Sequence, residues 1–161
     1  MRIGLISDTH GTLRPAVFNL FRNVDHILHA GDVGSPEILT DLQTIAPVTA
    51  VWGNTDGFDI RACTAGESEV ELAGVRFALA HGHRVSEFDQ LVDVFPRANA
   101  IVHGHSHIPR DDLVSGIRML NPGSAGPGGV TWPPSVAIAE IEDKSISLVH
   151  LDLATGSPLS I

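Results

Sequence analysis

Apolar and polar positions in the first part of the chain switch between two periods. Arg2–Ser7 is a short apolar run with the length of a buried strand. After the turn Asp8-Thr9-His10-Gly11-Thr12, the residues Leu13, Val17, Leu20 and Phe21 recur at helical spacing. Asp25–Ala30 is a second strand-like run, closed by Gly31-Asp32. Ser35-Pro36-Glu37 supplies an N-cap, a proline at the first helical position and an acid in the first turn. The helix it opens is expected to turn Ile38, Leu39 and Leu42 inward. Pro47–Trp52 is a third strand ending in Gly53-Asn54.

The rest of the chain reads as strand-rich. Glu67–Leu72 alternates acids with smaller or apolar residues, and Ala73-Gly74 turns it into Val75–Ala80, a hairpin pattern. One helix is predicted after it, with Ser86 as cap and Phe88, Leu91, Val92 and Phe95 as the apolar stripe. Ala100–Val102 is a short strand running into His103-Gly104-His105-Ser106-His107. Two more hairpins are predicted to turn at Ser115-Gly116 and Asp143-Lys144. Asn121–Pro134, with four glycines and four prolines, is expected to be loop. Strand–helix alternation followed by hairpins predicts an α/β fold with mixed strand pairing, one domain over residues 1–161.

Composition narrows the class. At 161 residues the chain is too short for a (β/α)₈ barrel, which typically needs ~250. With 43% hydrophobic and 18% charged residues it is not a disordered tail. A formal net charge of −9 opposes non-specific binding to nucleic acid or to an anionic membrane. The single cysteine, Cys63, cannot form an internal disulfide and suits a reducing compartment. The N-terminal apolar run is too short for a signal peptide, and no run reaches membrane-spanning length. A soluble cytoplasmic protein is expected.

Nine histidines against no tyrosine is an unusual balance, and most are clustered: His26 with His29, His81 with His83, and His103 with His105 and His107. Histidine is the commonest metal ligand. Five apolar runs end in residues able to bind metal: Asp8 and His10, Asp32, Asn54, His81, and the pair His105 and His107. In open α/β sheets ligands bind beyond the carboxyl ends of strands, so neighbouring strands would bring these seven side chains to one rim. Two carboxylates, an amide oxygen and four imidazoles, without thiolate, suit Mn, Fe, Co, Ni or Zn better than Ca or a closed structural zinc site. Seven ligands exceed one tetrahedral ion, and with a bridging carboxylate they make two four-ligand sites. Such a site stays net positive and attracts an anion, a phosphate ester above all.

At these residues the chain resembles the calcineurin-like metallophosphoesterase superfamily, especially its small prokaryotic phosphodiesterases. The motifs D-x-H, G-D, G-N, H-G-H and G-H-x-H appear in family order as Asp8-Thr9-His10, Gly31-Asp32, Gly53-Asn54, His81-Gly82-His83 and Gly104-His105-Ser106-His107. Asn121-Pro122-Gly123-Ser124 resembles a further segment of this branch. The resemblance implies a β-sandwich of mixed strands flanked by helices. It implies one metal held by Asp8, His10, Asp32 and His107, and a second held by Asp32, Asn54, His81 and His105, with Asp32 as the bridge. The implied cofactors are two divalent transition-metal ions, Mn first, with Fe, Ni, Co and Zn as alternatives. The implied chemistry is in-line attack on phosphorus by a metal-bound hydroxide, with Asp32 and Asn54 at the reacting centre.

One position departs from the common pattern. Many relatives continue G-N with a histidine that can protonate the leaving group, and here Thr55 follows Asn54. A threonine hydroxyl is a poor general acid near neutral pH, so either esters with good leaving groups are preferred or the proton would come from water or from His83. Among the other polar residues, His29 and His103 read as structural, and His26 and His150 carry no motif. Asp56 reads equally as an orienting or a turn residue. Arg84 reads more simply as an exposed arginine opening a helix than as a phosphate contact, and Asn121 either lines the site or serves a crossover. Cys63 fits no metal or nucleophile pattern. Glu67, Glu69 and Glu71 read as a solvated strand face. The expected activity is a phosphoesterase, a phosphodiesterase by preference, acting on a small-molecule phosphate ester in a protein free to form homo-oligomers. The alternative is an interaction scaffold of the same fold, as in the retromer's metallophosphoesterase-like subunit. A metallo-β-lactamase-type hydrolase is disfavoured, because no Asp-His pair follows His105 at the required place.

Overall fold

The computed structural model describes residues 1–126 and 131–161. The strands and helices run β1 Arg2–Ile6, α1 Ala16–Leu20, β2 His26–His29, α2 Pro36–Gln43, β3 Val48–Ala50, α3 Phe58–Cys63, β4 Glu67–Leu72, β5 Val75–Ala80, α4 Leu91–Val94, β6 Ala100–Val102, β7 Arg110–Val114, β8 Ile117–Asn121, β9 Ser135–Glu142 and β10 Ser145–Asp152. They form two five-stranded mixed sheets, ordered β10-β9-β1-β2-β3 and β4-β5-β6-β8-β7. Strands β1, β2 and β3 are parallel, as are β5, β6 and β8, while β9, β10, β4 and β7 add antiparallel pairs. No described helix is long and apolar enough to cross a membrane.

Alternation along the strands builds three apolar layers. Ile3, Leu5 and Leu28 of the first sheet meet Val75, Phe77, Leu79 and Val102 of the second, and this interface is the inner core. On the outer side of the first sheet, Ile6 and Ile27 pack under Val17, Phe21, Ile38, Leu42 and Ile60 from the first three helices. Gly4 makes that contact close: a Cβ there would lie 2.8 Å from the Phe21 ring. Beneath α4, the small residues Ala78 and Ala80 leave room for Leu91 and Phe95.

The three predicted hairpins turn where expected. Ala73-Gly74, Ser115-Gly116 and Asp143-Lys144 all carry positive φ at both residues, as a two-residue turn between twisted strands requires. Helix α2 begins after Ser35 with Pro36 in its first turn and buries Ile38, Leu39 and Leu42, while the Ser35 hydroxyl turns to Glu37 and makes no cap hydrogen bond. The Glu face of β4 is exposed at an outer edge of the second sheet. Two segments depart from the reading. The helix expected from Ser86 is instead a 3-10 turn over Phe88–Gln90 leading into the single turn of α4, with Glu87 rather than Ser86 as the cap. Helix α3 was not foreseen: it spans six residues and buries only Ile60, too little for a periodic signal. The segment 127–130 of the predicted Asn121–Pro134 loop lies outside the described residues.

Candidate metal centre

The motif residues do not share one sheet rim. They follow β1, β2 and β3 in the first sheet and β5 and β6 in the second, and the ends of the two sheets meet. Gly104 N–H donates to His81 O (3.2 Å), and His105 N–H reaches the Asp8 carboxylate (3.2 Å to Oδ2). The loops are stitched similarly within the first sheet: Asp8 N–H donates to Gly31 O and His10 N–H to Asp32 O.

Backbone strain marks the same residues. Nine non-glycine residues among those described have positive φ, and four of them are the hairpin residues Ala73, Ser115, Asp143 and Lys144. The other five are Asp8 (54°), His10 (46°), Asp32 (51°), His105 (67°) and His107 (59°). Left-handed backbone costs L-residues about 1–2 kcal/mol each, and strain of this kind clusters at functional sites. The neighbouring glycines are needed for closeness as well. A Cβ on Gly53 would fall 2.0 Å from Asp32 Oδ1, and one on Gly104 would fall 2.0 Å from Ser7 Oγ and 2.6 Å from Asp8 Oδ2.

Five of the seven expected ligands converge into one acidic–imidazole cluster. Asp8 Oδ1 lies 3.2 Å from His107 Nε2, 3.9 Å from His81 Nε2 and 4.0 Å from His10 Nε2. Asp32 Oδ2 lies 3.3 Å from His81 Nε2 and 3.8 Å from His10 Nε2, and the Nε2 atoms of His10 and His107 are 3.4 Å apart. Two groups could each hold a cation: Asp8 with His10 and His107, and Asp8 with Asp32 and His81. The His105 ring stands beside this cluster, 5.1 Å from the His81 ring centroid. Asn54 occupies the exposed turn between Gly53 and Thr55, both of which approach Asp32.

Supporting hydrogen bonds aim these side chains. Ser7 Oγ donates to Asp8 Oδ2 (2.6 Å) and Thr55 N–H to Asp32 Oδ1 (3.0 Å). His81 Nδ1–H donates to Ala30 O (2.9 Å), which fixes the tautomer and leaves Nε2 as a lone-pair donor. That Nε2 is buried without a hydrogen-bond partner. A buried orphan nitrogen facing two carboxylates, with other imidazole nitrogens close by, fits metal-cation binding.

The charges couple accordingly. Burial pushes the Asp32 carboxyl up, but contact with His81 and the Thr55 N–H outweighs it and holds the group well below the usual carboxylate range. Burial pushes His81 down, and Asp32 with Asp8 more than offsets it, so its pKa is raised. His107 is raised by its contact with Asp8. His105 and His83 are lowered, first by burial and then by the neighbouring His81.

Other polar residues hold the frame. His29 is fully buried: Gly31 N–H donates to its Nδ1, its Nε2–H points to Thr9 Oγ1 (3.0 Å), and Thr9 donates to Val33 O. Burial pushes His29 down to about 4. His103 is buried and stacked on Phe88, with ring centroids 4.7 Å apart. His150 donates to Asn121 O (2.7 Å), and His26 contacts Thr49 Oγ1. Asn121 does not line the site. It is fully buried and donates Nδ2–H to Gly104 O and Ser106 Oγ (both 3.0 Å), bracing the loop that carries His105 and His107. Asp56 accepts N–H groups from Val33, Gly34 and Gly53, so it orients the turns around Asp32.

His83 stands beside His81 and His105, with ring centroids 5.4 and 6.4 Å away, and its Nδ1 is buried without a partner. Arg84 does not open a helix. Its guanidinium lies 4.4 Å from the centroid of the Trp52 ring, and Arg61 lies over the same ring at 4.5 Å. Neither Ser7 nor the Trp52 pair was singled out from sequence. Ser7 adjoins Asp8 and was there to be read, whereas the Trp52 contacts join residues distant along the chain.

Comparisons with known proteins agree with this geometry. The family model for the calcineurin-like phosphoesterase superfamily domain matches residues 1–144. A probable metallophosphoesterase of Methanothermobacter thermautotrophicus is 36% identical over 169 residues, covering 99% of this chain and 95% of that protein. Among solved structures, wild-type Vps29 of Entamoeba histolytica complexed with Zn²⁺ superposes with a TM-score of 0.82 at 25% identity, covering 99% of this chain and 96% of the other. An archaeal phosphodiesterase superposes with a TM-score of 0.75 at 26% identity, covering 94% and 100%. With motif order, sandwich topology and clustered donors in agreement, the chain belongs to the calcineurin-like phosphoesterase superfamily.

Proposed function

We propose that this protein is a dinuclear-metal phosphodiesterase acting on small-molecule phosphate esters in a reducing, cytoplasmic setting. The observation that carries the reading is the placement of Asp32 Oδ2 between His10 and His81, at 3.8 and 3.3 Å. These histidines belong to the two halves of the donor set, which supports Asp32 as the residue that would bridge. Asp8, His10, Asp32 and His107 would hold one ion, and Asp32, Asn54, His81 and His105 the other. Manganese is the first choice, ahead of Fe, Ni, Co and Zn. When bound, the two ions supply an activated water for in-line attack and draw charge from the phosphoryl oxygens.

The chain's own groups prepare that chemistry. Ser7 and the His105 N–H fix Asp8, and the Thr55 N–H fixes Asp32, so neither carboxylate must reorganise as charge develops. The Thr55 hydroxyl stands 3.5 Å from His10 Nδ1 and is too weak an acid to serve a leaving group. His83, beside His81 and His105 with an unpartnered Nδ1, would be the group that holds a proton for the leaving oxygen.

The test pairs a chromogenic phosphodiester with a phosphomonoester, using metal-stripped protein with and without Mn²⁺. Metal-dependent turnover that favours the diester and falls at least about 10³-fold in Asp32→Asn is expected. His83→Ala should slow esters with poor leaving groups more than nitrophenyl esters, and an unchanged rate and pH profile removes His83 from the mechanism. The likeness to Vps29 gives a second reading, an interaction scaffold. Folded, metal-loaded protein that turns over neither ester would favour it.

A further inference from the structure

The residues beside the metal cluster are not electrostatically uniform. The chain carries only 10 Lys and Arg against 19 Asp and Glu, yet two of those arginines lie over one indole next to the site. The path is short. The His83 ring is 5.4 Å from His81, and Trp52 is 5.5 Å from His83. Gly66 belongs to the same contact, because a Cβ there would approach Trp52 at 3.0 Å and Arg84 Nη2 at 3.3 Å.

The two guanidiniums are held in place without being neutralised. Arg61 donates Nε–H to Asp56 O (2.8 Å), and among the described residues it makes no ion pair. Arg84 has one acidic neighbour, Glu67, at 3.8 Å, with both side chains about half exposed. An exposed pair at that distance contributes little and is readily exchanged for a stronger anion. Stacking on an aromatic face pre-orders a guanidinium, so less freedom is lost when it binds a phosphate.

A cavity of about 210 Å³ lies between Arg84 and His81, with Glu67 also in its wall, and neither Arg61 nor Trp52 lines it. His81, His83 and Arg84 line it together with the apolar side chains of Val85, Leu91 and Val94. An apolar wall next to a fixed cation suits a compact ring-bearing group that carries its own negative charge.

Building on the phosphodiesterase reading, we infer that Arg61 and Arg84, stacked on Trp52, form a subsite for a second phosphate of the substrate, selecting diesters whose nucleoside portion is itself phosphorylated. The body of the nucleoside lies along Val85, Leu91 and Val94, and its remote phosphate meets the Arg84 guanidinium, with Arg61 adding charge from the same indole. Arg84 leaves Glu67 to make that contact. Arg61 and Arg84 are specificity residues, distant from the reacting phosphorus, and they act through binding energy that the scissile diester alone does not supply.

The experiment uses two substrates that differ by one group: thymidine 5′-(p-nitrophenyl phosphate) and the same compound bearing a 3′-phosphate. For the Mn²⁺-supplied protein, kcat/KM for the phosphorylated compound is expected to exceed that for the other by about tenfold or more, the effect of a charged hydrogen bond. The ratio should fall to about one in the Arg61→Ala/Arg84→Ala double variant and rise in Glu67→Gln, a gain that general damage cannot produce. A ratio near one in the unaltered protein, or one unchanged in the double variant, overturns the inference. Calorimetric binding of thymidine 3′,5′-bisphosphate against thymidine 5′-phosphate separates this inference from the catalytic one. Preference for the bisphosphate, lost in the double variant but present in a protein with no turnover, would sustain the subsite and sink the phosphodiesterase reading. Turnover without that preference would do the reverse.

Discussion

Replacing Asp56 tests whether the turns around Asp32 are held by one carboxylate. Its Oδ2 accepts the N–H groups of Gly53 (2.8 Å) and Val33 (3.1 Å), and its Oδ1 accepts that of Gly34 (2.7 Å). Asp56 is 3% exposed, and Gly53 and Val33 are buried with it, so water cannot readily replace those two bonds, whereas Gly34 is exposed. A hydrogen bond to a charged group contributes about 1.5–3 kcal/mol, and an orphaned buried donor costs about as much. Asp56→Asn retains one oxygen for Gly53 and Val33 and turns an NH₂ toward the water-accessible Gly34 N–H, so a loss of about 1 kcal/mol is expected. Asp56→Ala orphans the two buried donors and should cost about 4 kcal/mol, a large share of the 5–15 kcal/mol that stabilises a typical domain. Urea unfolding followed by circular dichroism measures both. With a slope of about 2 kcal/mol per molar, the Asn variant's midpoint should fall by about 0.5 M. Freed of this anchor, the Gly53–Thr55 turn should also hold Asp32 less firmly, so Mn²⁺ affinity by calorimetry should fall alongside stability. An Ala variant within 1 kcal/mol of the parent would refute the reasoning, because the two buried donors cannot lose their acceptor at so little cost.

Further predictions concern protonation and space. His29 has a folded pKa of about 4 against an ordinary 6.5, so the unfolded chain binds its proton first, and this stabilisation is present near neutrality and lost as pH falls through that window. Between pH 7 and 5, metal-stripped parent protein should lose about 2 kcal/mol more stability than His29→Gln, and equal slopes by urea titration would contradict the buried neutral assignment. Gly104→Ala places a methyl 2.0 Å from Ser7 Oγ and 2.6 Å from Asp8 Oδ2, so it should displace Asp8 and weaken Mn²⁺ binding at least tenfold while Gly116→Ala, with nothing within 4 Å of its Cβ, leaves metal affinity unchanged.

Local chemistry explains what the sequence revealed of this fold. The β4–β5 hairpin was legible to the residue because Ala73-Gly74 interrupts two strand-like runs, and Ser115-Gly116 and Asp143-Lys144 do the same for the other pairs. The insertion of β9 between β1 and β10, and of β8 between β6 and β7, was not legible, since pairing order depends on contacts between distant segments. Nor did periodicity reveal α3, with its single buried apolar residue. The five Asp and His residues that cluster were readable from motif order. The buttresses were not: Asn121 looked like a loop residue and is a buried brace, and Arg84 looked like the start of a helix and lies on Trp52. Each depends on a partner that only the folded chain brings near.

The strain at the clustered Asp and His residues points to cation binding. Asp8, His10, Asp32, His105 and His107 sit in left-handed backbone outside any hairpin turn. Aspartate and histidine tolerate that region better than most, so about 1 kcal/mol each is a fair cost, or about 5 kcal/mol together. Four of these residues, Asp8, His10, Asp32 and His107, direct donor atoms at a shared cluster, and His105 stands beside it. Cation binding offsets the strain: free metal at 100 times its dissociation constant stabilises by about 2.7 kcal/mol per site, and two sites by about 5 kcal/mol. At 2–4 °C per kcal/mol for a chain of this size, saturating Mn²⁺ should raise the melting temperature of metal-stripped protein by about 10–20 °C. Asp32→Asn, which alters the residue placed between both halves of the donor set, should lose most of that rise. A shift below about 2 °C with each of Mn²⁺, Fe²⁺, Co²⁺, Ni²⁺ and Zn²⁺ would mean that the strained loops are maintained for something other than metal, and the two-ion centre would fall with it.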